Sequence, residues 1–260
     1  MKKSFQNLVV DHMTLLVEPR YYPVAYALFR IVFGVDEAGI IYEKRKRWPG
    51  EAAERSMTFA VKIGENRSPR KTLSQSIFAV VQPSEPASQS SHVRSMLEAR
   101  GGSAHWQHVA LRTSDLLAFH KHAIERGVNF ITPILKDDDE DLIQVFSGEW
   151  IMPGRKPSGL FFEFVQRNPG RALLQKIASG NRQAWFRDRT FLGLYQEKET
   201  EYQSGKVTPF IDEDLFFALE KSLAGRPLWE IKAADLKAAE KIMKDYAAAK
   251  KSRPAAPALA

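Results

Sequence analysis

Two histidines and a glutamate, His12, His108 and Glu163, are the residues of this 260-residue chain best suited to shared chemistry. Two imidazoles and one carboxylate can hold a metal from one side and leave its other side open, the facial arrangement of non-haem Fe(II) oxygenases. A histidine in a strand is more often a satisfied structural residue than a ligand. Here, however, the sequence repeats around both. His12-Met13-Thr14-Leu15 and His108-Val109-Ala110-Leu111 share one form. A helical pattern follows each, Tyr22 to Phe33 and Leu116 to Arg126, and each half closes on an apolar run, Ile77 to Gln82 and Phe161 to Gln166. Such self-similarity marks a structural unit used twice. Superposing the copies sets His12 against His108 and Ala79 against Glu163, so all but one of the equivalent positions carry a metal-binding side chain. Glu163 stands within Leu160-Phe161-Phe162-Glu163-Phe164-Val165, where a carboxylate is costly to bury without a partner. The competing reading pairs it with Arg167 or turns it to solvent.

The elements that must position these residues follow from the repeat. The unit reads as a strand, a helix and several strands. The fold class is therefore α+β: two tandem βαβββ modules forming one cup, followed by a helical C-terminal extension. The modules span 5–83 and 103–168 of a metal-binding domain at 5–168. Residues 169–250 form the extension, whose last helix reads as a lid, a dimer contact, a partner-binding helix or a packing helix, and 251–260, rich in Pro and Ala, as a disordered tail. Strand one covers 5–17 and stops before Pro19. Pro23 suits the first turn of the next helix and Gly34 its end. Strands follow at Gly39 to Glu43, Met57 to Ile63 and Ser76 to Val81, with a polar loop from Glu65 to Thr72. A short helix, His92 to Arg100, ends at Gly101-Gly102 and joins the modules. In the second module Ser114 or Asp115 caps the helix and Gly127 ends it. His120 and His122 lie two apart on that helix, point in different directions and read as surface residues. Asp137 to Asp141 lacks the spacing of a calcium loop and reads as a solvated turn before strand Leu142 to Phe146. Gly170 to Ile177, Trp185 to Tyr202, Asp212 to Leu223 and Leu228 to Ala248 read as helices.

With 44% hydrophobic and 27% charged residues, the chain can bury a substantial core. It has no cysteine, which excludes disulfides and thiolate metal sites and suits a reducing interior such as the cytoplasm. The basic start, Met1-Lys2-Lys3, precedes too short an apolar stretch for a signal peptide, and no run of about 18 apolar residues suggests a membrane span. Net charge is +7. The basic runs Lys44-Arg45-Lys46-Arg47 and Lys250-Lys251-Ser252-Arg253 are short and read as solvated surface, so neither nucleic acid nor membrane is expected as a partner. A positive field would draw in an anionic small molecule such as a 2-oxo acid.

The stretches Gln107 to Leu111, Ile134 to Phe146 and Phe161 to Arg167 resemble the catalytic half of 4-hydroxyphenylpyruvate dioxygenase, of the vicinal oxygen chelate superfamily. The resemblance runs from Val10 to Arg167, with a fainter echo at Arg189 to Tyr195. It implies Fe(II) held by His12, His108 and Glu163. It also implies that O2 and a 2-oxo acid, aromatic in the family, are consumed in oxidative decarboxylation and hydroxylation, as in aromatic amino acid catabolism. By the same resemblance, Gln107 and Gln144 hydrogen-bond around the substrate, Phe146 and Phe191 sandwich it, and a C-terminal helix closes over it. The chain departs from the family at Ser84, where asparagine is usual, and at His92, where glutamine is usual; both positions would contact substrate. It also lacks a longer insertion between Pro133 and Ile134. The resemblance does not reach the family's N-terminal domain, so its homo-oligomer interface does not carry over. Two other readings stay open. One is extradiol catechol cleavage, with His92 or His105 as acid and base. The other is a non-catalytic ligand-binding protein on the same fold.

Overall fold

The repeated strand and helix signals resolve into one eight-stranded sheet. The computed structural model describes residues 3–64, 76–137, 141–180, 190–225 and 227–252. The first module comprises β1 (Val9–Val17), α1 (Tyr22–Ile31), β2 (Ile40–Lys46), β3 (Arg55–Ile63) and β4 (Ser76–Val81). The link carries α2 (His92–Ala99). The second comprises β5 (Ala104–Arg112), α3 (Leu116–Ile124), β6 (Leu135–Asp137), β7 (Leu142–Glu149) and β8 (Phe161–Arg167). The extension holds α4 (Arg171–Gly180), α5 (Thr190–Ser204), α6 (Glu213–Leu223) and α7 (Ala233–Ser252). The strand order is β2-β3-β4-β1-β5-β8-β7-β6. Within each module the first and last strands pair parallel, and the modules meet where β1 pairs antiparallel with β5.

The registers repeat as well. In the first module His12 pairs with Ile77 and Thr14 with Ala79; in the second His108 pairs with Phe161 and Ala110 with Glu163. Ala79 and Glu163 thus hold equivalent places, two residues past the histidine's own partner. Strand alternation separates the two faces of the sheet. Leu15 and Val17 of β1 pack with Tyr22 and Ala25 of α1 against Phe59 and Val80. Leu116 of α3 packs with Ile143, Val145 and Phe164 in the same way. The other face carries His12, Thr14 and His108, with Phe146, Phe161 and Leu194 in a separate cluster. Each such buried side chain contributes about 1.5–3 kcal/mol, so the helices fix which face becomes the cup. Helix α3 begins and ends on the expected signals. Asp115 Oδ1 accepts the Ala118 N–H at 3.0 Å, and Gly127 takes a φ of +77° while the Val128 N–H donates to the Ala123 carbonyl at 3.2 Å.

Several elements differ from the sequence reading. Strand β2 continues to Lys46, so the run Lys44-Arg45-Lys46 is not a solvated tract: Tyr42, Lys44 and Lys46 are half-buried on one face while Glu43 and Arg45 are exposed on the other. The period of two overrides the charge run. His120 and His122 are half-buried rather than free surface groups, with the His120 ring 4.4 Å from Phe130 and the His122 ring 5.3 Å from Phe5. Strand β1 starts at Val9, after a 3-10 turn at Ser4–Gln6. The final helix divides into a 3-10 turn, Leu228–Glu230, and α7, which runs to Ser252. The loop at 65–72, the middle of the turn at 137–141, residues 185–189 and the tail from 253 lie outside the described residues. Among the described residues, no helix is long and apolar enough to cross a membrane.

Candidate metal centre

The pairing of β1 with β5 shifts register twice, between Val10 and His12 and between Thr14 and Leu15. The first shift leaves Asp11 as an extra residue beside His12, and the second leaves Gln107 as an extra residue beside His108. In a regular strand, neighbours face opposite sides; a bulge re-aims one of them. Both extra residues turn back to the histidine that follows. Asp11 Oδ1 lies 3.2 Å from His12 Nδ1, and Gln107 Oε1 lies 3.1 Å from His108 Nδ1. Each partner atom is an acceptor, so each Nδ1 donates a proton and each Nε2 is left facing inward.

The two Nε2 atoms are 3.4 Å apart, and Glu163 Oε2 is 3.2 Å from that of His12 and 3.1 Å from that of His108. Atoms bound to one ion at about 2.1 Å, with angles of about 90–109° between them, lie about 3.0–3.4 Å apart. The three side chains therefore fit a single divalent ion. The donor set of two imidazoles and one carboxylate suits iron, zinc or manganese. The Thr14 hydroxyl lies 2.9 Å from His108 Nε2, and the Phe161 ring stacks on His108 at 5.3 Å.

Without an ion the cluster must keep a proton between its bases. Burial would lower the His12 pKa, but the carboxylates of Glu163 and Asp11 overcome it and raise the group from 6.5 to about 10. Burial would raise Glu163, but His12 and His108 hold it down at about 2. Burial likewise opposes ionisation of Asp11, yet His12 and Arg167 keep it well below the usual carboxylate range. His108, held low by burial, stays neutral. In the metal-free protein the raised His12 pKa contributes stability that is complete below 6.5 and is lost as pH rises through about 10. An incoming ion must expel that proton. Divalent-metal affinity is therefore expected to rise by about tenfold per pH unit from neutral pH upward, levelling near the His12 pKa. Calorimetry in buffers of different ionisation enthalpy should count one proton released per ion. Replacing Asp11 with asparagine removes the charge that supports His12 and should weaken metal binding by about 10–100-fold, measured by the same titration.

A small pocket opens on the cluster, lined among others by Thr14, Tyr42, Lys44, Ala79, Gln144 and Phe146. Of the residues expected to contact substrate, Gln144 and Phe146 are in this lining, whereas Gln107, His92 and Ser84 are buried outside it. Phe191 is the second residue of α5, and its side chain lies outside the described residues; Leu194 of the same helix lines the cavity. Gln107 instead bridges two histidines: while Oε1 meets His108, its Nε2 lies 2.9 Å from His92 Nε2. Burial, and then the charge of Lys198, hold His92 neutral with a pKa of about 3, so its ring can accept that N–H.

Beyond His92 lies a buried ionic group. The Tyr202 ring is 5.6 Å from the His92 ring, and its hydroxyl donates to Glu149 Oε1 at 3.0 Å. Lys198 Nζ meets the same oxygen at 2.7 Å, and both side chains are 0% exposed. The Gly159 N–H donates to the other Glu149 oxygen at 2.7 Å. Asp11, Tyr42, Lys44, Glu149 and Lys198 were missed from the sequence. Adjacency to a histidine would have found Asp11 only if the bulge were known. Strand alternation would have found Tyr42 and Lys44. Nothing in the polar pattern of α5 marks Lys198 as buried.

No family model matches the chain, and no curated protein matches it either. Solved structures of similar fold include a variant of 4-hydroxymandelate synthase from Streptomyces coelicolor, at 19% identity and a TM-score of 0.45, covering 77% of this chain and 57% of that one. The chain thus spans little more than half the length of that enzyme. Methylmalonyl-CoA epimerase from Streptomyces coelicolor, in complex with 2-nitronate-propionyl-CoA, is 15% identical, with a TM-score of 0.41 and coverage of 62% and 97%. The epimerase from Mycobacterium tuberculosis is 17% identical, with a TM-score of 0.42 and coverage of 65% and 93%. The strand order and repeated registers are those of two βαβββ modules sharing one cup, and the chain has the vicinal oxygen chelate fold.

Proposed function

We propose that the protein is a non-haem Fe(II) dioxygenase that oxidatively decarboxylates a 2-oxo acid and hydroxylates the product, as the resemblance to 4-hydroxyphenylpyruvate dioxygenase implies. The observation that carries this reading is the convergence of His12 Nε2, His108 Nε2 and Glu163 Oε2 at 3.1–3.4 Å beside a cavity whose fourth equivalent position is Ala79. Alanine supplies no donor, so positions remain for a bidentate substrate and O2. Bound there, Fe(II) would relay electrons to O2; decarboxylation of the oxo acid gives two and the hydroxylated C–H bond the other two, so that one oxygen atom enters the new carboxylate, the other a hydroxyl, and CO2 leaves. The protein's own part is positional. Asp11 and Gln107 keep the Nε2 lone pairs of the two histidines on the ion. Phe146 and Phe161 flank His108 and exclude water. Gln144 offers an amide to the substrate's polar end. The catechol reading needs an acid/base group at the metal, and neither His92 nor His105 is in the cavity lining. Anaerobic titration of Fe(II) and a panel of 2-oxo acids tests the proposal. A visible charge-transfer band that is bleached by O2 is expected. Iron binding without a band for any oxo acid would transfer the case to catechol chemistry, and absence of iron binding would leave a ligand-binding protein.

A further inference from the structure

The two histidines of the metal centre are not held alike. Behind His12 stands Asp11, an ionised carboxylate that can only accept, and the Arg167 guanidinium fixes it by donating from Nε at 2.9 Å and from Nη2 at 2.6 Å. That partner settles by itself that His12 carries a proton on Nδ1. Behind His108 stands Gln107, whose amide has an accepting oxygen and a donating nitrogen of nearly the same shape. With the oxygen toward His108, as here, Nδ1 donates and the Nε2 lone pair faces the metal position. With the amide turned over, its N–H would donate to Nδ1. The ring proton would then sit on Nε2, 3.1 Å from Glu163 Oε2, and that lone pair would be lost to any ion. The two arrangements differ by a half-turn of one amide and the place of one proton on the ring.

The choice between them is made on the far side of Gln107. Gln107 is 0% exposed, so bulk solvent does not make it, and the group that its Nε2 meets is His92 Nε2 at 2.9 Å. We propose that His92 is a positioning residue for the metal centre: its ring accepts from the Gln107 amide, keeps the amide oxygen on His108, and so holds His108 in the form that can bind a metal. This inference rests on the metal-centre reading above and extends it one step outward. The resemblance would set Gln107 and the residue at position 92 against substrate; buried outside the pocket lining, they meet each other instead. A neutral imidazole has one accepting nitrogen, and burial with the charge of Lys198 keeps His92 neutral. The ring is also clamped from the C-terminal extension. Tyr202 of α5 packs edge-on against it at 5.6 Å, with its own hydroxyl held by Glu149. A strut therefore runs from α5 through α2 and β5 to the ion position, and in so buried a chain each hydrogen bond polarises the next.

Two measurements test the assignment. In the metal-free protein, nitrogen NMR shifts of the imidazole rings tell which atom bears the proton. In wild type both His92 and His108 should carry it on Nδ1, and a proton on Nε2 of either neutral ring overturns the inference without any variant. His92→Phe should move a share of the His108 proton to Nε2. The second measurement is Fe(II) affinity by anaerobic calorimetry. His92→Phe should lower it by about tenfold, at the lower end of what an outer hydrogen-bond partner contributes. His92→Gln can again present an accepting oxygen and should recover most of that loss. Gln107→Leu cuts the strut, so in that background His92→Phe should change the affinity by less than about twofold. An equal loss with and without Gln107 overturns the inference, because His92 would then act by packing alone. Iron bound by wild type and by His92→Phe with the same affinity overturns this inference and leaves the metal centre standing. No iron bound by wild type overturns the metal centre and this inference with it.

Discussion

Replacing Glu163 with alanine should lower Fe(II) affinity by well over the 10–100-fold typical of losing an outer hydrogen-bond partner, and should abolish turnover. The carboxylate supplies both a donor atom and a negative charge that touches both inward nitrogens, at 3.2 and 3.1 Å. Without it two neutral imidazoles remain, and a cation must be desolvated with no compensating anion at its side. Two observations should accompany the loss. The His12 pKa should fall, since Glu163 is the principal charge raising it. Metal binding by the variant should then release less than one proton. Glu163→Gln keeps the shape and hydrogen-bonding capacity but not the charge, and should resemble alanine in metal affinity while folding more stably. Titration calorimetry with thermal melts on both variants separates the effects. Retention of affinity to within about tenfold would show that the ion is held elsewhere.

The second large effect should appear in stability. Glu149→Ala removes the fully buried partner of Lys198, whose ammonium is left with Glu201 Oε2, at 2.7 Å and 12% exposed, as its carboxylate. Removing one member of a buried pair costs up to about 3–5 kcal/mol when the other charge is left alone, and the Glu201 carboxylate offsets part of that cost here. The Gly159 N–H and the Tyr202 hydroxyl lose their acceptor in the same step. Urea unfolding should show the midpoint falling with little change in slope. The paired variant Glu149→Leu with Lys198→Met should recover most of the loss, since replacing both charges with apolar groups of similar volume is often neutral or stabilising. If the single variant melts like wild type, the pair contributes nothing net to the fold.

Both predictions concern residues whose roles differ in how far the sequence reveals them. The convergence of His12, His108 and Glu163 was legible because a duplicated fold repeats its register, and a repeat can be read as letters. Glu163 stood out as an ionised group inside an apolar strand. The modules and the caps of α3 followed from periodicity of two or 3.6 and from a few capping residues. What could not be read depends on departures from periodicity. Asp11 and Gln107 reach their histidines only because one extra residue sits in each strand, and composition does not announce a bulge. Lys44 was lost inside a run of like charges, although alternation along β2 already divided that run into an inner and an outer set. Lys198 was invisible for another reason. Its burial is set by Glu149, 49 positions earlier, and by the packing of α5, both of which are tertiary.

The bulged seam between β1 and β5 has a mechanical consequence. His12 belongs to one module, and His108 and Glu163 to the other, so an ion held by all three ties the two halves of the sheet together at the line where they meet. A ligand present at 100 times its dissociation constant adds about 2.7 kcal/mol to whatever opening would release it. That addition falls on separation of the modules and hardly at all on fraying within either one. Amides along the seam, such as those of Met13 and Val109, should therefore exchange with solvent more slowly when the metal is bound, while those of β2 and β6 at the sheet's two edges exchange as before. The same ion that is proposed to activate oxygen would then act as a rivet, and its loss would let the halves breathe apart before either of them unfolds.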